Sequence, residues 1–117
     1  MSILTLDEHC RVIVNDGGLT FSPIRPTPVD GYMVSIAGSE RTIPIESFGS
    51  ETLAEYMSGY ASSAIGRGLF YGAWVDGGLV YLDLSVNVRD REEAEAMGRL
   101  ESQLAIFDVA NGDVISL

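Results

Sequence analysis

Residues 70–88, FYGAWVDGGLVYLDLSVNV, constrain this chain more than any other segment. Apolar and β-branched residues alternate on both sides of Asp76-Gly77-Gly78, the pattern of two antiparallel strands joined by a tight turn. The turn is either Asp76-Gly77 or Gly77-Gly78, and the parity of pairing is the same in both cases because side chains alternate with a period of two. Tyr71, Ala73, Val75, Val80, Leu82, Leu84, Val86 and Val88 then share one face, which is plainly core. The opposite face carries Phe70, Trp74, Leu79 and Tyr81, followed by Asp83, Ser85 and Asn87. A face that is half aromatic and half polar is either a second core layer beneath a helix or a contact surface.

The flanking segments extend the pattern into an α+β fold. Asp90 before REEAEAMGRL predicts a capped helix over about 91–102, with Glu93 in the capping-box position and a buried stripe of Ala94, Met97, Leu100 and Leu104. A strand is expected at 104–109, followed by an Asn111-Gly112 type I′ turn into Val114-Ile115. Ser50 is expected to cap one helix running to about residue 65, with Leu53, Tyr56, Met57 and Tyr60 on its stripe. Gly59 inside that helix points to close packing there. Residues 31–36 and 41–45 read as strands joined by Ala37-Gly38-Ser39-Glu40, Pro44 suiting an edge. Arg11–Val14, Asn15-Asp16-Gly17-Gly18 and Leu19–Phe21 read as a small N-terminal β unit, followed by a proline-rich connector at 22–28. The expectation is a single α+β domain over residues 1–117, with a mainly antiparallel sheet of roughly five to seven strands and two helices packed on it.

Composition narrows the function. The 117 residues carry 17 acids against 7 basic residues, a net charge of −10, so direct binding to nucleic acid or anionic lipid is disfavoured and a basic protein partner is favoured. Every basic residue is an arginine, which leaves no lysine for Schiff-base or P-loop chemistry. Cys10 is the sole cysteine, so no intramolecular disulfide can form. MSILTLDEHC lacks a basic n-region and a long apolar run, and no window reaches the ~18 apolar residues of a membrane span. A cytoplasmic protein is expected.

No residues assemble into a recognisable catalytic or cofactor site, and no cofactor or metal is expected. His9 and Cys10 are adjacent, no second histidine is present, and neither zinc-ligand spacing nor a Cys-His pair results. Gly66-Arg67-Gly68 and Gly77-Gly78 lack the strand–loop–helix setting of a phosphate site. Asp83, in mid-strand, and Asp108, at the matching place in a later strand, are the carboxylates that a two-acid hydrolase would need at about 5 Å. A structural role for both competes with that reading, and the residues favour a binding protein over an enzyme.

Two contact surfaces are expected. One is the mixed hairpin face of Phe70, Trp74, Leu79, Tyr81 and Asp83, an oligomer seam or partner contact. The other is an acidic strip of Glu92, Glu93, Glu95 and Glu101. The stretches WVDGGLVYLDLS, DREEA and QLAIFDVANGD resemble small uncharacterised accessory proteins of actinobacteria and their phages and mobile elements. That resemblance implies an accessory protein of a mobile-element setting and carries no catalytic residues. The leading expectation is a non-catalytic acidic factor that binds a host or phage protein, its sharpest form an inhibitor of a basic nucleic-acid-handling host protein. A structural subunit that forms oligomers through the Trp74–Tyr81 face is the alternative.

Overall fold

The computed structural model describes residues 5–117. Its centre is β5 (Leu79–Val88), which pairs antiparallel with β4 (Phe70–Asp76) through the turn Gly77-Gly78. Both turn glycines have positive φ, 57° and 77°, which a two-residue hairpin requires and side-chain-bearing residues resist. The other edge of β5 is shared by two strands end to end. β2 (Tyr32–Ser35) pairs Val88 to Ser85, and β3 (Arg41–Pro44) pairs Leu82 to Leu79. β1 (Gly18–Phe21) lies outside β4, β6 (Ala105–Asp108) outside β2, and β7 (Asp113–Ser116) outside β6. The result is a seven-stranded antiparallel sheet in the order β1-β4-β5-β2-β6-β7, with β3 in line with β2.

The two strands read at 31–36 and 41–45 therefore do not pair with each other. Five residues, 36–40, span a gap where β5 offers only Asp83 and Leu84. Ser39 fills that gap and is almost fully buried. Its Oγ donates to the Ile36 carbonyl at 2.7 Å and accepts the Leu84 N–H at 3.1 Å. Its own carbonyl accepts the Tyr56 hydroxyl at 2.6 Å. One serine thus replaces the ladder bond that the departing strand no longer supplies.

All the helices lie on one face. α1 (Leu6–Asp16), α2 (Ser50–Gly59) and α3 (Ala61–Gly66) bury Ile13, Leu53, Tyr56 and Ala64 against Phe21, Tyr71, Ala73, Val80, Leu82 and Leu84. α4 (Arg91–Leu100) buries Ala94 against Val34 and Ile106, and Val86 joins the two clusters. Among the described residues no helix is long and apolar enough to cross a membrane.

Several expectations are corrected. Arg11–Val14 belongs to a helix, not a strand: Thr5 caps it by accepting the Glu8 N–H at 3.2 Å, and Gly17 ends it at φ 85°. The Asn15–Gly18 run is therefore a helix stop instead of a hairpin turn. The helix expected over 50–65 breaks at Tyr60, and Gly59 stands where an added Cβ would meet nothing within 4 Å, so close packing does not explain it. Ser50 is the first helical residue; Thr52 caps the end instead, its Oγ1 accepting the Gly49 N–H at 3.0 Å. Leu100 and Leu104 are 84% and 89% exposed, and Gly98 takes their place against Ile106 and Leu117. β6 and β7 pair from Asp108 and Asp113, so their loop has four residues and Asn111-Gly112 is not a two-residue turn.

Ser39→Ala should lower stability by about 1–3 kcal/mol, because the buried Leu84 N–H loses its acceptor. Urea unfolding should show a lower midpoint at unchanged slope. An unaltered midpoint would mean that the gap closes without the hydroxyl.

Candidate functional site

With four helices on one side, the other side of the sheet has no helical layer among the described residues. The helix at 50–65 does not cover it, so the mixed hairpin face is not a second core layer of that kind. Residues from β1 (Gly18, Leu19, Thr20) and β6 (Ala105, Ile106, Phe107), together with the strands between them, line one groove of about 1160 Å³. From β1 to β6 the strand order contains four spacings of about 4.8 Å each, roughly 19 Å along the curve.

The floor of the groove is set by sheet register. Gly72, Asp83, Ser85, Ser35 and Met33 line it from three adjacent strands, and Trp74 lines it beside Gly72. Trp74 and Tyr81 are direct cross-strand partners and stack with centroids 4.1 Å apart and planes 8° from parallel. Leu104, Phe107 and Val114 add exposed apolar surface from the β6–β7 side. The proline-rich segment closes one end through Thr27 and Pro28. It is pinned by Thr27, whose hydroxyl donates to the Thr20 carbonyl at 2.9 Å, and by Arg25, which donates to the Gly68 carbonyl at 2.9 Å. The Arg25 guanidinium also lies 4.5 Å over the Phe70 ring.

Asp83 is the chemical centre of the groove. One carboxylate oxygen accepts the Ser35 hydroxyl at 2.7 Å. The other lies over Gly72, where an added Cβ would collide with it and push the carboxylate aside. Burial raises its pKa from 3.8 to about 6, the Ser35 bond opposes the rise, and Glu40 nearby reinforces it. No arginine pairs with Asp83 among the described residues. Asp16 and Glu40 line the same groove, and no basic residue does among the described residues.

The expected site residues separate under this geometry. Trp74 and Asp83 share the groove, with Tyr81 stacked behind Trp74. Leu79 is half-buried at the hairpin end opposite Asp76 and Pro44. Phe70 is buried beneath Arg25 and is lost as a contact residue. Glu92, Glu93 and Glu95 ride on α4, across the sheet from Trp74, so the acidic strip and the aromatic face cannot form one continuous patch. Glu95 is also engaged by Arg91 at 2.9 Å and Arg99 at 3.5 Å, and Glu101 accepts the Ala37 N–H at 2.7 Å. Glu92 and Glu93 remain exposed.

Asp108 lies opposite Tyr32, which faces the helices with Val88, whereas Asp83 faces the groove. The sheet stands between the two carboxylates, which rules out a shared two-acid centre. Asp108 instead shapes its turn, accepting the Asn111 N–H at 3.3 Å and its side-chain amide at 2.8 Å. His9 stacks on Phe21 at 4.4 Å and contacts the Thr5 carbonyl through Nδ1, while burial and Asp7 raise the Cys10 pKa and make its thiol a poorer nucleophile. Among the described residues no three His, Cys, Asp or Glu side chains gather to hold a metal. Leu104, Phe107 and Val114 were missed because their exposure depends on how β6 and β7 are placed; an apolar residue in a short strand otherwise reads as core.

Because the folded carboxyl of Asp83 keeps its proton at pH values where the unfolded chain has lost it, this group favours folding most below pH 3.8, and that contribution disappears as pH rises through about 6. At pH 7.5 the charged form opposes folding by about 2–3 kcal/mol. Asp83→Asn should therefore raise stability at pH 7.5 by about 1–3 kcal/mol and leave it nearly unchanged at pH 4. Equal effects at both pH values in urea titrations would contradict this assignment.

No family model, curated protein or solved structure matches this chain. What the groove can hold follows from its own residues.

Proposed function

We propose that this protein is a non-catalytic binding factor that docks an extended, basic and partly apolar segment of a partner protein in the uncovered groove. The observation that carries the reading is the lining itself: apolar walls with Trp74, Leu104, Phe107 and Val114, three carboxylates at Asp16, Glu40 and Asp83, and no basic residue among the described residues. Such a surface is complementary to cations flanked by apolar side chains. At about 1160 Å³ the groove exceeds the usual volume of a small-molecule pocket, and its roughly 19 Å span accommodates about six extended residues. A net charge of −10 adds long-range attraction for a basic partner and works against self-association.

A basic nucleic-acid-handling protein is the class of partner that fits this charge, and occupying its basic surface would inhibit it. The phage or mobile-element setting implied by the resemblance is compatible with such an inhibitor. The contact is placed on the groove instead of the α4 strip, where Arg91 and Arg99 already engage Glu95.

Panning a random dodecapeptide library against the protein tests the reading. Enriched peptides should be basic with interspersed apolar residues, weaken with added salt, and perturb amide resonances of Gly72, Ser85, Ala105 and Phe107. Leu104→Asp and Trp74→Ala should each weaken them by about tenfold, a loss of about 1.4 kcal/mol. Glu92→Arg with Glu93→Arg should weaken them by less than about twofold, since only long-range attraction is lost. Peptides that map to α4 would refute the groove. A stable dimer in sedimentation that Val114→Asp dissolves would put a second copy in the groove and favour the oligomer reading instead.

A further inference from the structure

Within that groove, and resting on its reading as a protein-binding surface, we propose that Asp83 is the anchor for an arginine side chain of the partner, held between the carboxylate and Trp74. The pairs Gly72–Asp83 and Trp74–Tyr81 are successive on the same face of the hairpin. Two residues along a strand are about 7 Å apart, so the carboxylate and the stacked aromatic pair are neighbours on the groove floor, a separation on the scale of a guanidinium. Ser35 holds one oxygen of Asp83 and fixes its orientation. The second oxygen, above Gly72, has no hydrogen-bond donor among the described residues and faces the groove.

A mid-strand aspartate disfavours the sheet and is costly to bury. Here the cost is not offset by any arginine of the chain itself. A cation brought by the partner would offset it. Guanidinium suits the space better than ammonium because it is planar, weakly hydrated, stacks on aromatic faces and meets a carboxylate with a fixed fork of donors. The groups that face Asp83 or lie along its groove are Ser35 from β2, Glu40 from the segment before β3 and Asp16 from the end of α1, with the Tyr56 phenol acting from the covered side. None of them is cationic, so an incoming arginine meets attraction from each acid.

Because Asp83 titrates near 6, it is about one-tenth ionised at pH 5 and almost fully ionised at pH 7.5. An arginine ligand should bind about tenfold more weakly at the lower pH and release a proton when it binds near pH 5.5.

The probe is Nα-acetyl-arginine amide, compared with the neutral isostere Nα-acetyl-citrulline amide, in NMR titrations that follow the Asp83 carboxyl carbon and the Trp74 indole. At pH 7.5 the arginine compound should bind about tenfold more tightly and lower the Asp83 titration midpoint. The preference should vanish at pH 5 and in Asp83→Asn, whose fold is checked by the Trp74 and Gly72 resonances. Equal binding of the two compounds, or a preference that survives Asp83→Asn, overturns the proposal. If library peptides still map to the groove in that case, the docking surface stands and only the anchor falls. If neither peptides nor arginine amide perturb the groove, both fall.

Discussion

The pairing of β5 along both of its edges is the constraint on which the rest of the structure depends. It joins β4 through a turn only glycines accept comfortably and carries β2 and β3 in line on its other side. Because side chains alternate, this single register decides two things together. Leu82, Leu84 and Val86 go to the helices, and Tyr81, Asp83 and Ser85 go to the opposite face. The hydrophobic term that stabilises the fold and the polar floor of the groove are therefore two sides of one strand. A register slip of one residue would exchange them, burying Asp83 under the helices and exposing Leu82 and Leu84 in the groove.

The interruption between β2 and β3 follows from the same arrangement. A continuous strand would complete the ladder past Asp83 and Leu84; instead residues 36–40 bulge from the edge, keeping the Ile36 N–H on the Leu84 carbonyl at 2.9 Å, and Ser39 supplies the missing acceptor. The detour also brings Glu40 to the groove, near enough to act on Asp83. The same five residues thus complete the core through the Ser39–Tyr56 bond and add negative potential to the uncovered face. Ser39 is structural and Glu40 is electrostatic, and one backbone excursion positions both.

How much of this could be read before the structure depends on the range of the interaction involved. The hairpin faces were legible because alternation and a glycine turn are local and agree with one another. The capped helix after Asp90 was legible for the same reason. The N-terminal helix reads as a β unit in the sequence because Val12-Ile13-Val14 is β-branched, whereas the structure caps a helix at Thr5 and ends it at Gly17. Tertiary packing of Ile13 against the sheet overrides that local propensity. The groove was not legible at all. It arises because β1 and β6, more than 80 residues apart in sequence, lie on either side of the β4-β5-β2 hairpin sheet, and no periodicity within a segment encodes that order.

Asp83 is where local and global preferences disagree most. Alternation alone would accept threonine or valine there, and either would suit a half-buried strand better than a carboxylate. The structure accommodates the acid with two further concessions, a glycine opposite it and a serine beside it, both on the uncovered face. Neither contributes apolar burial. None of the three belongs to the apolar clusters packed under the helices. The proposed role of Asp83 as a carboxylate presented in the groove would account for them together, because glycine provides the space and serine fixes the orientation. Residues that break a local rule in concert, in a groove lined by strands from both sides of the sheet, are what the proposed recognition role of this face would account for.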